Sequence, residues 1–281
     1  MILIADSGAT KSDWILLNED EEPMRFQLVG LNPFYVDTIE IESILSKELT
    51  PFIENKKIKK VIFYGAGCAS VFKCMTVEEA LNKLFDNAEI VVESDLLGAA
   101  RALFKNKEGI ACILGTGSNS CHFDGNKIVE NITSLGYFFG DEGSGAHLGK
   151  VFLKDYLLGN LPPKIASDFK EIYNYNRDNI LDAIYNLPFP NRFLGSFCEF
   201  YADHLSDKYI FDMVSNSFRE FFTNQIKQYK GYNKLPISFV GSVAFFFEPL
   251  LRQIAAEFGV NIDQVLRSPI NALAEYHKEE G

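Results

Sequence analysis

Nothing in this sequence approaches the ~20 consecutive apolar residues that a membrane-spanning helix needs. Met1 runs straight into the strand-like Ile2-Leu3-Ile4-Ala5 with neither a basic leader nor a cleavage site. The expected compartment is the cytoplasm, with no membrane partner. Cysteine is scarce: Cys68, Cys74, Cys112, Cys121 and Cys198 are odd in number and contain no C-x-x-C, so neither a disulfide framework nor a zinc site is indicated. His122, His147, His204 and His277 have no ligand spacing to one another or to cysteine and read as structural. Positive charge is also short, with 27 Lys and Arg against 38 Asp and Glu and a net charge of −11. Lys56, Lys57, Lys59 and Lys60 form the one basic cluster, which reads as a solvated loop. That balance argues against a nucleic-acid partner, because a phosphate backbone is met by a basic face. Walker A and G-x-G-x-x-G are both missing, so the P-loop and Rossmann alternatives lose ground.

What the chain does have is apolar mass: 281 residues, 47% of them hydrophobic and 25 of them Phe, enough for one large or two moderate domains. An acidic protein can still bind an anionic nucleotide, provided that backbone amides and a metal ion do the work. Glycine turns are therefore the feature to look for. The first third alternates strand and helix signals: strands at Ile2–Ala5, Trp14–Leu17 and Phe26–Val29, with a turn over Asn18–Pro23. A helix is expected over Ile39–Phe52, then a strand at Val61–Tyr64 closed by Gly65-Ala66-Gly67. A helix near Val77–Phe85, a strand at Ile90–Val92 and a helix over Asp95–Phe104 complete it. The opening then repeats. Ile110–Leu114 runs into Gly115-Thr116-Gly117-Ser118-Asn119, with strands after it at Ser120–Phe123 and Lys127–Asn131 around the Asp124-Gly125 turn. A copy of both order and spacing predicts two similar α/β lobes, 1–108 and 109–281, each with a glycine hairpin. Two aromatic stripes at helical spacing, Phe193 to Leu205 and Ile210 to Ile226, read as core of a helical insertion in the second lobe. Ser238–Val240 reads as a strand. Ile270–Tyr276 reads as a short helix, placed in the second lobe or packed back on the first.

The candidate chemistry gathers at the turns. Asp6-Ser7-Gly8-Ala9-Thr10-Lys11 joins two strands and would leave backbone N–H groups pointing outward as an anion nest. Gly8 would permit a positive φ. Asp6 is placed to hold Mg²⁺ through water, Thr10 to donate to a phosphate oxygen, and Lys11 to add a point charge. Gly115, Thr116, Gly117 and Ser118 repeat that arrangement, so the pair would grip a triphosphate. Gly241 and Ser242 end a further strand, where a purine or ribose could lie flat against the backbone.

The order Asp6-x-Gly8-x-Thr10-Lys11-Ser12, Ser94-Asp95, Gly115 to Asn119, Gly140-Asp141-Glu142-Gly143-Ser144-Gly145 and Gly241-Ser242 resembles the N-acetylglucosamine kinases. These belong with the BadF/BadG-type ATPases, and the resemblance spans nearly the whole chain. It implies two ribonuclease H-like lobes of the actin and sugar-kinase ATPase superfold with a cleft between them. ATP and Mg²⁺ would be the cofactors, an amino sugar phosphorylated at its 6-hydroxyl the substrate, and a homodimer the partner state. Asp95 becomes the implied general base, while Asn32, Asn119 and Asp141 match sugar-facing positions. From its place alone Asp95 could equally cap the helix it opens, where the helix end would lower its basicity. Ala9 departs from the family, which often has glycine there, and is tolerable only with a negative φ. The longer glycine run of many relatives at the adenosine turn is also missing. Glu142 is kept out of the site as a first-turn acidic residue. The same family includes activators of radical dehydratases that carry an iron–sulfur cluster. Such an activator, or a nucleotide-dependent interaction module without sugar turnover, is the alternative.

Overall fold

The computed structural model describes residues 1–18, 21–54 and 56–280, so Glu19 and Asp20 of the expected Asn18–Pro23 turn lie outside the described residues. The chain forms two compact units. The first comprises residues 1–107, 125–127 and 268–281, the second residues 108–124 and 128–267.

Unit 1 is built on β1 (Ile2–Ser7), β2 (Lys11–Leu17), β3 (Met24–Val29), α1 (Thr38–Glu48), α2 (Thr50–Ile53), β4 (Lys60–Gly65), α3 (Val71–Leu84), β5 (Glu89–Ser94) and α4 (Asp95–Phe104). Its five-stranded sheet has the order β3-β2-β1-β4-β5, antiparallel through the hairpins and parallel from β1 through β4 to β5. β1 is central, which is why Leu3, Ile4 and Ala5 form an unbroken apolar run with no exposed surface. Ile4, Ile15, Ile62 and Tyr64 pack with Ala102 of α4 and with Leu273 and Ala274, so the last helix of the chain belongs to this unit. The expected Ile39–Phe52 helix is interrupted at Leu49, because Pro51 sits in the first turn of a new helix. The next helix starts at Val71, ahead of Val77, because Ser70 caps it.

Unit 2 repeats the plan with β6 (Glu108–Leu114), β7 (Ser118–Asp124) and β8 (Ile128–Asn131). Then come α5 (Gly136–Phe139), α6 (Gly145–Leu158), α7 (Pro163–Tyr173), α8 (Arg177–Tyr185), α9 (Pro190–Gly195), α10 (Cys198–Asp203) and α11 (Lys208–Asn224). β9 (Ile237–Val240), α12 (Ser242–Phe246), α13 (Glu248–Glu257) and β10 (Ile262–Leu266) complete the unit, while the last helix, α14 (Ile270–Glu280), lies in unit 1. The sheet order β10-β9-β6-β7-β8 matches that of unit 1 strand for strand, with the same antiparallel and parallel pairings. The repeat thus covers five strands. β10 is the one that the sequence pattern did not disclose. Asp263 and Gln264 interrupt its apolar residues, and its register against β9 shifts between Ile262 and Val265.

Both aromatic stripes are core. Ile210, Met213, Val214, Phe218, Phe221, Phe222 and Ile226 are all buried. Phe193 to Leu205 is two short helices, α9 and α10, whose apolar faces meet the same cluster. At its centre Phe169 is fully buried against Phe152, Phe197 and Phe200, with ring centroids 4.9, 5.3 and 5.4 Å away. Phe169→Ala should therefore lower unfolding stability by about 3–5 kcal/mol in urea titration, and Phe169→Leu by clearly less. Equal losses would mean that ring packing is not what this cluster contributes.

Candidate active site

In unit 1 the chain leaves β1 after Ser7, one residue past Asp6, and re-enters the sheet at Lys11. The turn is closed by the Gly8 N–H donating to the Lys11 carbonyl at 2.9 Å. Gly8 is not in the positive-φ region, contrary to expectation, and a Cβ there would lie 3.6 Å from the Lys11 oxygen, an ordinary contact. The glycine that this turn requires is Gly30. Its N–H donates to the Thr10 carbonyl at 3.0 Å, and a Cβ would fall 2.4 Å from the Gly8 oxygen. Ala9 and Thr10 also keep φ out of the positive region, so the Ala9 methyl fits. Lys11 does not offer a free point charge: its Nζ is 3.0 Å from Asp13 Oδ2.

Asp6 and Asp95 share this end of the sheet. Burial pushes the Asp6 carboxyl up to about 8, with the charges of Asp95 and Asp13 adding to the rise and Lys11 opposing it. Burial likewise raises Asp95 to about 6, outweighing the N–H groups of Leu96 and Asp95 itself that favour the carboxylate. The expected lowering by the helix end is present and loses. Nor does Asp95 cap α4: Ser94 does, its Oγ accepting from the Leu97 N–H at 3.2 Å. The Leu96 and Asp95 N–H groups are then the partners of the Asp95 carboxyl, which does not hold the cap. Two crowded carboxyls, with the one nearby lysine acting on Asp6 already held on Asp13, are hard oxygen donors that suit Mg²⁺.

Asn32 is anchored to the same turn, because the neighbouring Leu31 N–H donates to Ser7 Oγ at 2.9 Å. Its Oδ1 accepts from the Phe34 N–H at 2.9 Å and its carbonyl from Tyr35 and Val36, so it does serve as a turn residue. The amide nitrogen is what remains to meet a ligand. Gly67 backs it closely, since a Cβ there would fall 2.3 Å from Asn32 Oδ1. Sequence reasoning missed Ser7 and Gly67 as supports, although the Gly65-Ala66-Gly67 run had marked the place.

In unit 2 the Gly115 N–H closes on the Gly117 carbonyl at 3.0 Å. The carbonyls of Gly115 and Thr116 accept from Gly145 and Ala146 at 2.9 and 3.0 Å, so the first turn of α6 holds this turn in place. Asp141 lies against it. A Cβ on Gly117 would come 3.0 Å from Asp141 Oδ2, Ser134 Oγ donates to Oδ1 at 3.3 Å, and the Ser118 backbone favours the charge. Burial nevertheless raises its carboxyl to about 6. Asn119 Oδ1 is fixed by the Ser120 N–H and by Asn131 Nδ2, at 2.9 and 3.0 Å. Gly241 has φ +126°, and a Cβ there would meet the Leu114 oxygen at 2.3 Å, while Ser242 opens α12. Asp6, Asp95 and Asn32 thus gather in unit 1, and Asp141, Asn119, Gly241 and the 115–118 turn in unit 2. Ser134 and Asn131 carried no signal in sequence. Of the cysteines, Cys68, Cys112 and Cys121 are buried and Cys74 and Cys198 partly so. Among the described residues no cluster of three metal-ligating side chains occurs, and no helix is long and apolar enough to cross a membrane.

No family model and no curated protein matches this chain. Among solved structures, a Porphyromonas gingivalis protein taken to be an N-acetylglucosamine kinase is 44% identical, with 99% of each chain covered and a TM-score of 0.94. The chain belongs to the N-acetylglucosamine kinase family. It is therefore an ATP-dependent sugar kinase of the two-lobed actin-like fold. A Chromobacterium violaceum protein also taken to be an N-acetylglucosamine kinase is 14% identical, with 98% of each chain covered and a TM-score of 0.70. A Streptomyces griseus ROK-family glucokinase, in complex with glucose and AMPPNP, is likewise 14% identical, covers 100% of this chain and 99% of its own, and has a TM-score of 0.57. These last two share the fold.

A kinase of this family should show the electrostatic strain of Asp141 as pH-dependent stability. Its carboxyl holds a proton more tightly folded than unfolded, so stability is full below about pH 4 and falls as pH rises through about 6. At pH 8 the ionised group should cost on the order of 2–3 kcal/mol. Asn also tolerates the left-handed backbone of this position, where φ is +59°. Asp141→Asn should thus raise the urea midpoint at pH 8 and leave it nearly unchanged at pH 4. A loss of stability of similar size at both would refute the assignment of strain to this carboxyl.

Proposed function

We propose that this sugar kinase transfers the γ-phosphoryl group of ATP to the 6-hydroxyl of N-acetylglucosamine. The 44% identity to the Porphyromonas gingivalis protein supports the substrate class. The observation that carries the chemistry is Asp95, a carboxyl released from capping and raised to about 6, where it can both orient a hydroxyl and take its proton near neutral pH. In the transfer, the sugar oxygen forms a bond to the γ-phosphorus as the bond to the β–γ bridging oxygen breaks, and ADP leaves. The hydroxyl proton passes to Asp95. Because the transition state is loose, holding that oxygen in line contributes more than strong deprotonation. The 8–11 and 115–118 turns meet the phosphates through backbone N–H groups other than those of Gly8 and Gly115, which close the turns, and Gly241 with Ser242 receives the adenosine. Asp6 would hold Mg²⁺, which would supply positive charge against the phosphates. Asn32 and Asn119 donate to sugar hydroxyls from their amide nitrogens, and Asp141 accepts from another.

Asp95→Asn removes the proton acceptor and leaves the Ser94 cap intact. It should cut kcat by ~10²–10⁴ at nearly constant ATP affinity and melting temperature. Normal turnover by the folded variant in a coupled ADP-release assay would remove Asp95 from the chemistry. The same assay run across amino sugars and plain hexoses tests the substrate, since a hexose preference contradicts the proposal. Asn32→Ala should raise KM for the sugar well above any change in KM for ATP. Parallel changes in both constants would reduce Asn32 to its turn role.

A further inference from the structure

The Gly140–Ser144 loop carries Asp141 in a backbone conformation that costs free energy. Asp141 has φ +59° and Gly143 φ +80°, two left-handed residues within three positions. A non-glycine residue there persists only where its surroundings over-determine it. The surroundings come from one face of α11, at Ser217, Glu220 and Asn224. The Gly143 N–H donates to Ser217 Oγ at 2.9 Å, and Ser217 is 2% exposed. Ser217 Oγ lies 2.8 Å from His147 Nδ1, and His147 Nε2 lies 3.3 Å from Glu220 Oε2. Burial lowers the His147 pKa, so the ring is neutral near pH 7. The Gly143 N–H donates to Ser217 Oγ, and the Glu220 carboxylate beside Nε2 favours the tautomer that keeps the proton there, leaving Nδ1 to accept from the Ser217 O–H. Two turns along from Ser217, Asn224 Nδ2 donates to Glu142 Oε1 at 3.0 Å. Of these three residues Ser217 is the buried one, while Glu220 and Asn224 are exposed, so its hydroxyl is the group that must be paired, and it is.

We propose that Ser217, with His147 and Glu220 behind it, is a positioning residue for sugar binding: it holds the Gly140–Ser144 loop so that Asp141 presents its carboxyl to the sugar. The inference rests on Asp141 being sugar-facing. Ser217 touches neither substrate nor reacting atoms. Its removal should act on sugar binding alone.

Ser217→Ala leaves the Gly143 N–H buried without a partner, and should raise KM for N-acetylglucosamine about 10-fold, with KM for ATP and kcat at saturating sugar within about twofold of wild type. Ser217→Thr keeps the hydroxyl and should restore sugar KM to within about threefold. In the Asp141→Asn background, Ser217→Ala should add no further rise, because the two residues act through one carboxyl. Multiplicative effects, or equal rises in both KM values, would overturn the positioning role. If Asp141→Asn leaves sugar KM unchanged, the sugar-facing assignment of Asp141 falls, whatever Ser217 does. Should Ser217→Ala not fold, Asn224→Ala, at an exposed position on the same face, carries the test with a selective rise in sugar KM of about two- to threefold. No rise there would overturn the clamp.

Discussion

The constraint on which the rest depends is that carboxyl groups must be kept crowded and largely dry at the ends of strands. Asp6, Asp95 and Asp141 are all raised, and in each burial is the leading cause. Each unit of pKa rise corresponds to about 1.4 kcal/mol held against the charged form, so such groups are tolerated only on a frame that cannot relax around them. The frame is a central strand with hydrogen-bonded neighbours on both sides. β1 has β2 and β4, and β6 has β7 and β9. Mobile carboxylates would turn to water. Held here, they cannot.

The surrounding polar groups serve that confinement. Ser94 takes the cap of α4 and relieves Asp95 of it, so one hydroxyl in the sequence decides whether the neighbouring acid is the cap. The Ser134 hydroxyl lies between Asp141 Oδ1 and the Ser118 carbonyl and shares its one proton between them, which keeps the acid beside the glycine turn. Lys11 shows the opposite arrangement. Its ammonium is held by Asp13, which spares Asp6 from being neutralised by a direct ion pair and leaves it the most perturbed carboxyl of the three.

The parts legible in the sequence were those whose signal is local. β1 reads at once because both of its faces are covered, and the β6–β7 hairpin because its glycines and β-formers copy the first. β10 does not, since a register shift and the polar pair Asp263-Gln264 hide its period. Gly8 drew notice through its place in a familiar turn, yet Gly30 is the residue against which that turn packs, and nothing near position 30 announces a contact with residue 8. Asn32, Asp95 and Asp141 were found through a resemblance whose motifs are short and contiguous. Ser217 stands 74 residues from Gly143 and lies in a helix that otherwise reads as core, so only the fold brings the pair together.

The two sheets share a topology without sharing chemistry, and the difference lies in the segments at the ends of their strands. The parallel neighbour of each central strand ends in glycine. After β4 it is the 65–67 run, whose Gly67 presses on the Asn32 amide; after β9 it is Gly241, which presses on the Leu114 carbonyl. The carboxyl ends of parallel strands are where ligands bind in open α/β sheets, so a single position in the repeat has been fitted once beside an amide and once beside bare backbone. One strand further out the units diverge completely. β5 runs directly into α4 and places Asp95 at its first residue, whereas β10 leads to Ser268, where the chain joins unit 1. Unit 2 therefore has no helix in which an equivalent of Asp95 could stand. Nor does it have an equivalent of Asp6, because the residue one step before the last paired position of its central strand is the apolar Ile113. Duplicating the frame gave two turns that close differently, Gly8 on Lys11 and Gly115 on Gly117, and it is the first that lies beside the pair Asp6 and Asp95.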